Sequence, residues 1–252
     1  MNRIRTWTVI LICAALATDL AVSAVARTTW AYYDCTPGIS TVVVLTNASE
    51  FALDDAVTVR LYDTSGALIL ESVHGLTAYE STAVFLNGLL DGPDEMTWGV
   101  AEIDARLLLQ VGVWIGTEDD WLFVENYGDL TGNLSEPSIE AYWYGLNYAN
   151  TSSRRTTVAV LNPNDRITFG DLYMYDASGV LQYARKLQIA PRQPTYIDLE
   201  NVFPVGDDVW GLVDVSASQP ILLVCSYFDA EGYLIDVDVV DQPYYLEIPE
   251  QE

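Results

Sequence analysis

The stretch Tyr62-Asp63-Thr64-Ser65-Gly66-Ala67-Leu68 returns 113 residues later as Tyr175-Asp176-Ala177-Ser178-Gly179-Val180-Leu181. Three further segments return in the same order: Val43–Asn47 as Ala159–Pro163, Trp98-Gly99-Val100 as Trp210-Gly211-Leu212, and Leu107-Leu108-Leu109 as Ile221-Leu222-Leu223. The offsets drift by only a few residues. A self-similarity of this length means one unit copied, and each copy must find a way to bury its own apolar face. The spacing predicts a first unit over residues 27–127 and a second over 141–240. A Gly- and Pro-bearing linker at 128–140 separates them, and an acidic tail follows at 241–252.

Each unit reads as strands. In Val57–Tyr62 apolar residues alternate with polar ones, the period of a half-buried strand. The copy keeps the phase, with Leu172 and Met174 pointing in and Tyr173 and Tyr175 out. The Asp-x-Ser-Gly that follows is hairpin chemistry: the Asp side chain bonds back to the chain, and Gly supplies a positive φ. Leu68, Leu70 and Leu76 then return as the paired strand. No long helical period occurs after the first 26 residues. The expected fold is all-β, two tandem Ig-like β-sandwiches of about seven strands each. Trp98 and Trp210, each beside a glycine, read as core plugs.

Residues 1–26 have the layout of a secretory signal peptide. Arg3 and Arg5 lead an apolar run over Trp7–Leu16, and Ala24-Val25-Ala26 supplies small residues for cleavage. An uncleaved anchor is the rival reading, opposed by Asp19 and Ser23, which interrupt the apolar stretch before a membrane-spanning length is reached. The expected location is therefore outside the cytoplasm: secreted, periplasmic or at the cell surface, with no membrane embedding once the leader is removed. The sequence carries 36 acidic against 11 basic residues, a net charge of −25, and Lys186 is its only lysine. Such a chain repels nucleic-acid phosphates, which excludes DNA and RNA as partners.

At this point a resemblance can be named. An aromatic opening strand (Tyr142–Tyr144) leads to a Leu-Asn-Pro-Asn segment within Val158–Asn164. A Leu-Tyr-x-Tyr-Asp-x-x-Gly hairpin (Leu172–Gly179) and a Ser-x-Pro-Ile-Leu-Leu turn-strand (Ser218–Leu223) follow. Together these resemble tandem repeat domains of bacterial and archaeal secreted and surface proteins. They are also similar to the small β-sandwich of the sensory-rhodopsin transducer family. The first unit departs from the pattern at Thr46-Asn47-Ala48 and at Ala105-Arg106. The resemblance implies a structural or ligand-docking module, and its motifs are turn and core residues.

Catalytic chemistry finds little support. His74 is the only histidine, and it aligns with Leu187 of the second copy, so a strand-face role fits it better than a triad or zinc site. Nucleophile elbows, phosphate loops and dinucleotide fingerprints are all missing. Carboxylate pairs could support glycoside hydrolysis, but in so acidic a chain such pairs arise by chance. The expectation is a non-catalytic structural or interaction protein that contacts a protein partner or assembles with itself.

A carbohydrate- or calcium-binding module is the alternative, and a secreted hydrolase the second alternative. No cofactor is expected other than calcium. Its candidate ligands are Asp94 and Glu95, their copies Asp207 and Asp208, and the alternating pair Asp236 and Asp238. Trp121, Trp143 and Tyr144 are the candidates for contact with a glycan or partner. Cys35 and Cys225 offer a disulfide in an exported protein. Against that, Cys225 lies in an apolar strand opposite Val111 of the first copy, where a small buried hydrophobe fits.

Overall fold

The structure is a computed structural model. It describes residues 28–90, 97–105, 109–117, 121–124, 142–203, 208–240 and 243. The expected signal peptide, the expected linker and most of the expected tail lie outside the described residues, as do Asp94, Glu95 and Asp207.

Sixteen strands are formed among the described residues, eight per unit rather than about seven. In the first unit they are β1 (Thr28–Asp34), β2 (Ser40–Asn47), β3 (Leu53–Tyr62), β4 (Leu68–Leu76), β5 (Ser81–Phe85), β6 (Trp98–Ala105), β7 (Leu109–Gly116) and β8 (Trp121–Val124). In the second they are β9 (Tyr142–Asn150), β10 (Arg154–Leu161), β11 (Thr168–Asp176), β12 (Leu181–Ile189), β13 (Pro194–Asp198), β14 (Val209–Ala217), β15 (Leu222–Asp229) and β16 (Leu234–Val240). The additional strand in each unit is the last one, which hairpins back on β7 or β15.

All ladders are antiparallel. Sheet I has the order β1-β6-β3-β4 and sheet II the order β5-β2-β7-β8. The second unit repeats them strand for strand, as sheet III (β9-β14-β11-β12) and sheet IV (β13-β10-β15-β16). The two copies therefore share one topology.

The copying extends to atoms. Asp63 Oδ1 accepts from the Ser65 and Ala67 amides, and Asp176 Oδ1 from those of Ser178 and Val180. Gly66 and Gly179 follow at φ 78° and 81°. The Thr41 hydroxyl bridges the backbone of Asp34, as the Thr156 hydroxyl bridges that of Ala149. The buried Asn47 and Asn162 amides each tie their loop to the turn after the fourth strand. These anchors fix the register between copies. They pair Cys225 with Val113, two residues along from the counterpart expected at Val111.

The tryptophans of the Trp-Gly repeat face outward and do not plug the cores. The reason lies in the glycine beside each. A Cβ on Gly99 would meet the Tyr62 carbonyl oxygen, and one on Gly211 would meet that of Tyr175. The inward-facing side of this position is thus filled by neighbouring backbone, and the ring next to it points the other way.

Sheets I and II enclose one core, built on Tyr33, Leu45, Leu61, Ile103 and Ile115. Sheets III and IV enclose another around Tyr148, Val160, Leu172, Met174 and Val213. Sheet IV is covered on both faces. Val158, Val160, Leu223 and Cys225 face the second core, whereas Ala159, Leu161, Leu222 and Val224 join the apolar cluster of the first unit. Sheet I presents Trp30, Tyr32 and Trp98 to them, so the layers run II, I, IV, III. At this joint Trp98 packs on Tyr196 at 5.6 Å between ring centroids. The Arg192 guanidinium lies 4.1 Å from the Trp30 ring and 3.9 Å from Glu102. Gln193 donates to the Ser65 carbonyl. No helix among the described residues is long and apolar enough to cross a membrane.

Candidate functional site

Because the two units are copies, each side chain of one has a control in the other. Many pairs are alike, and one group of unlike pairs lies together at a single end of the second unit. Where the first unit has Ile39, Ile115 and Leu122, the second has Arg154, Tyr227 and Asp236; Asp238 stands at the register position of Val124. In the first unit the three aliphatic residues close one end of the sandwich: Ile115 is fully buried, and Ile39 and Leu122 pack on the same core. In the second unit that end is an open cleft of about 440 Å³. Arg154, Tyr227, Asp236, Asp238, Asn147 and Trp210 line it.

Each side chain is placed by a strand. Asp236 and Asp238 alternate on β16 and so face one side, as their spacing predicts. Arg154 opens β10, its guanidinium 4.6 Å from the Tyr227 ring centre and 3.8 Å from Asp236. The Tyr227 hydroxyl lies 2.6 Å from the Asn147 carbonyl and 3.0 Å from Asp238 Oδ2, and its single proton is shared between these two acceptors. Burial, with Cys225 and Asp238 nearby, pushes the Tyr227 phenol well above its ordinary value, so it stays a donor. The wall opposite is Trp210, 60% exposed. Its sister Trp98 is wedged between Tyr32 and Tyr196. Asn147 takes the ladder position of Tyr32 and leaves the Trp210 ring uncovered. At the rim, Asp208 Oδ1 accepts from the Ser152 amide at 2.8 Å and fixes the turn leading into Arg154.

The sequence-derived candidates divide accordingly. Asp236 and Asp238 lie in the cleft, with Asp208 at its edge. Each has one carboxylate oxygen facing a neighbour: Asp236 faces Arg154, Asp238 faces Tyr227 and Asp208 faces the Ser152 amide. No group of three or more metal-binding side chains occurs among the described residues. Trp143 and Trp121 are half-buried on β9 and β8. Tyr144 corrects the expectation of a surface contact: it is 0% exposed, and its hydroxyl oxygen accepts from the Ile221 amide inside the second core. The strand phase explains this, because Tyr144 faces in between the outward Trp143 and Gly145.

Cys35 and Cys225 are free, buried thiols in separate cores, so the structure holds no bridge between them. Burial pushes the Cys35 thiol up to about 12 and raises that of Cys225 as well, which leaves both unreactive. His74 sits half-buried on β4 beside the Ser72 hydroxyl at 3.0 Å, with burial holding its pKa below the ordinary value. Sequence reasoning missed Arg154, Tyr227 and Trp210. The signal that finds them is the exchange of aliphatic for polar residues between aligned copies.

No protein-family model and no curated protein sequence matches the chain. Weak structural likenesses are to glycoside hydrolase family 2 proteins. A Bacteroides fragilis protein assigned as a β-galactosidase is 13% identical, with a TM-score of 0.19, covering 86% of this chain and 32% of that one. A family 2 member from Bacteroides cellulosilyticus is 10% identical, with a TM-score of 0.17, covering 89% and 30%. A family 2 β-glucuronidase is 9% identical, with a TM-score of 0.17, covering 85% and 24%. The chain thus spans about a third or less of the length of these proteins.

Proposed function

We propose that this is a non-catalytic interaction protein acting outside the cytoplasm, in which the first sandwich is scaffold and the second binds a ligand in the cleft between Arg154 and Trp210. The extracytoplasmic location is supported by the basic, apolar and small-residue layout of residues 1–26. The binding role is carried by one observation: a duplicated fold has exchanged an aliphatic plug for charged and phenolic groups in one copy only. The first unit closes the same end without them, which supports a role for them other than folding.

Returning the plug tests this. The change Arg154→Ile, Tyr227→Ile, Asp236→Leu and Asp238→Val together is expected to raise stability by about 1–2 kcal/mol, because half-exposed ion pairs contribute little and apolar packing replaces them. Thermal or urea unfolding measures it. A loss of stability on that exchange would show the polar set to be structural and would remove the reading.

A further inference from the structure

We propose that the cleft of the second unit binds a neutral pyranose sugar, its apolar ring face stacked on Trp210 and its hydroxyls shared between Arg154 and the carboxylates of Asp236 and Asp238. This rests on the cleft being a binding site and names what enters it.

The chemistry of the lining selects the class. Arg154 only donates hydrogen bonds, and the carboxylates of Asp236 and Asp238 accept them. All three line one cleft of about 440 Å³, within the range of small-molecule sites. A ligand that satisfies them together must both donate and accept at adjacent atoms, which vicinal hydroxyls do.

Charge narrows the choice further. An anionic ligand meets two carboxylates on a chain of net charge −25. A cationic one must compete for Asp236 with the Arg154 guanidinium, already 3.8 Å from it and seated over Tyr227 at 4.6 Å. A neutral polyol avoids both penalties. Trp210 supplies the remaining element: a ring 60% exposed at the edge of a polar site offers an apolar platform beside hydrogen-bonding groups. In the first unit the equivalent ring is used up by Tyr32 and Tyr196, and the equivalents of the polar groups are aliphatic. That unit serves as an internal negative control with no such site.

The test uses the full chain. Tryptophan fluorescence and saturation-transfer NMR are recorded with three panels: neutral hexoses and their disaccharides, cationic compounds (glucosamine, arginine amide), and an anionic sugar (glucuronate). Saturable binding of neutral sugars is expected, at least tenfold tighter than of either charged panel. Trp210→Ala should weaken it at least tenfold without shifting the melting temperature, since the ring is largely exposed, and Trp210→Phe should retain it. Asp238→Asn should also weaken it.

Tighter binding of a charged panel, with Trp210→Ala still abolishing it, would overturn the sugar and leave the cleft as a site. Neutral-sugar binding indifferent to Trp210→Ala would overturn the proposal by placing the sugar elsewhere. Failure of every panel would overturn it as well, and the cleft reading would then be decided by the stability of the four-residue plug exchange.

Discussion

Gly66 and Gly179 are the same residue of the same turn in two copies, yet their surroundings differ. Both hold positive φ, near 80°, a region that costs an L side chain about 1 kcal/mol or more. A Cβ on Gly179 would meet open space, whereas one on Gly66 would lie 2.7 Å from the Pro191 carbonyl oxygen across the joint between units. Gly179→Ala is therefore expected to cost about 1 kcal/mol, and Gly66→Ala about 2–3 kcal/mol, the excess being overpacking. Urea midpoints of the two variants measure the difference. Equal losses would mean that the second unit does not press on that turn. Arg192 of the neighbouring loop and Tyr79 of the first unit show the same divergence. Both hold φ near 60° at equivalent turns, but Arg192 is inserted against Trp30 and Glu102 while Tyr79 is exposed.

At the scale of strands, β10 and β15 differ from all the others in the second unit. They sit side by side in the middle of sheet IV with both faces covered, whereas β12 is an edge strand open to water on its outer side. Amide hydrogen exchange should accordingly be slowest in Val158–Leu161 and Leu222–Cys225 and faster in Leu181–Lys186, because local opening of β10 or β15 would disrupt two cores at once. Equal protection in the two regions would contradict the layer order.

Much of the strand architecture was legible in the sequence, because period and turn chemistry are local. The alternation through Val57–Tyr62 and the Asp-x-Ser-Gly turns predicted the observed phase and hairpins. What the sequence concealed depends on what lies across a sheet. The Trp-Gly repeat looks like a core plug until the Tyr62 and Tyr175 carbonyls are seen to occupy the space on the inner side. Tyr144 and Trp143 are adjacent aromatics, and only the strand phase says which is inside. The cleft was hidden for the same reason. Arg154, Tyr227 and Asp236 come from three strands far apart in the chain, and their aliphatic sisters are found only once the ladders have fixed the register.

The molecule as a whole is a stack in which sheet I of one unit seats on sheet IV of the next. That contact joins unlike faces, the front of one unit to the back of another, and a front-to-back contact has no built-in end. Its front recurs only in part on sheet III: Trp210 and Leu212 are 60% and 40% exposed, while Gly145 and Asn147 stand where sheet I has Trp30 and Tyr32. Its back is altered on sheet II. Where sheet IV offers Leu161, Leu222, Val224 and Tyr196, sheet II has Thr46, Gln110, Gly112 and Ala83 at the same register positions. Placing the four sheet IV side chains at these positions is expected to promote concentration-dependent association, visible by light scattering. Unchanged scattering would locate the stop elsewhere. A duplicated domain thus carries the grammar of a fibre, and Thr46, Ala83, Gln110 and Gly112 leave its trailing surface without the large apolar side chains that continue the sentence at the joint.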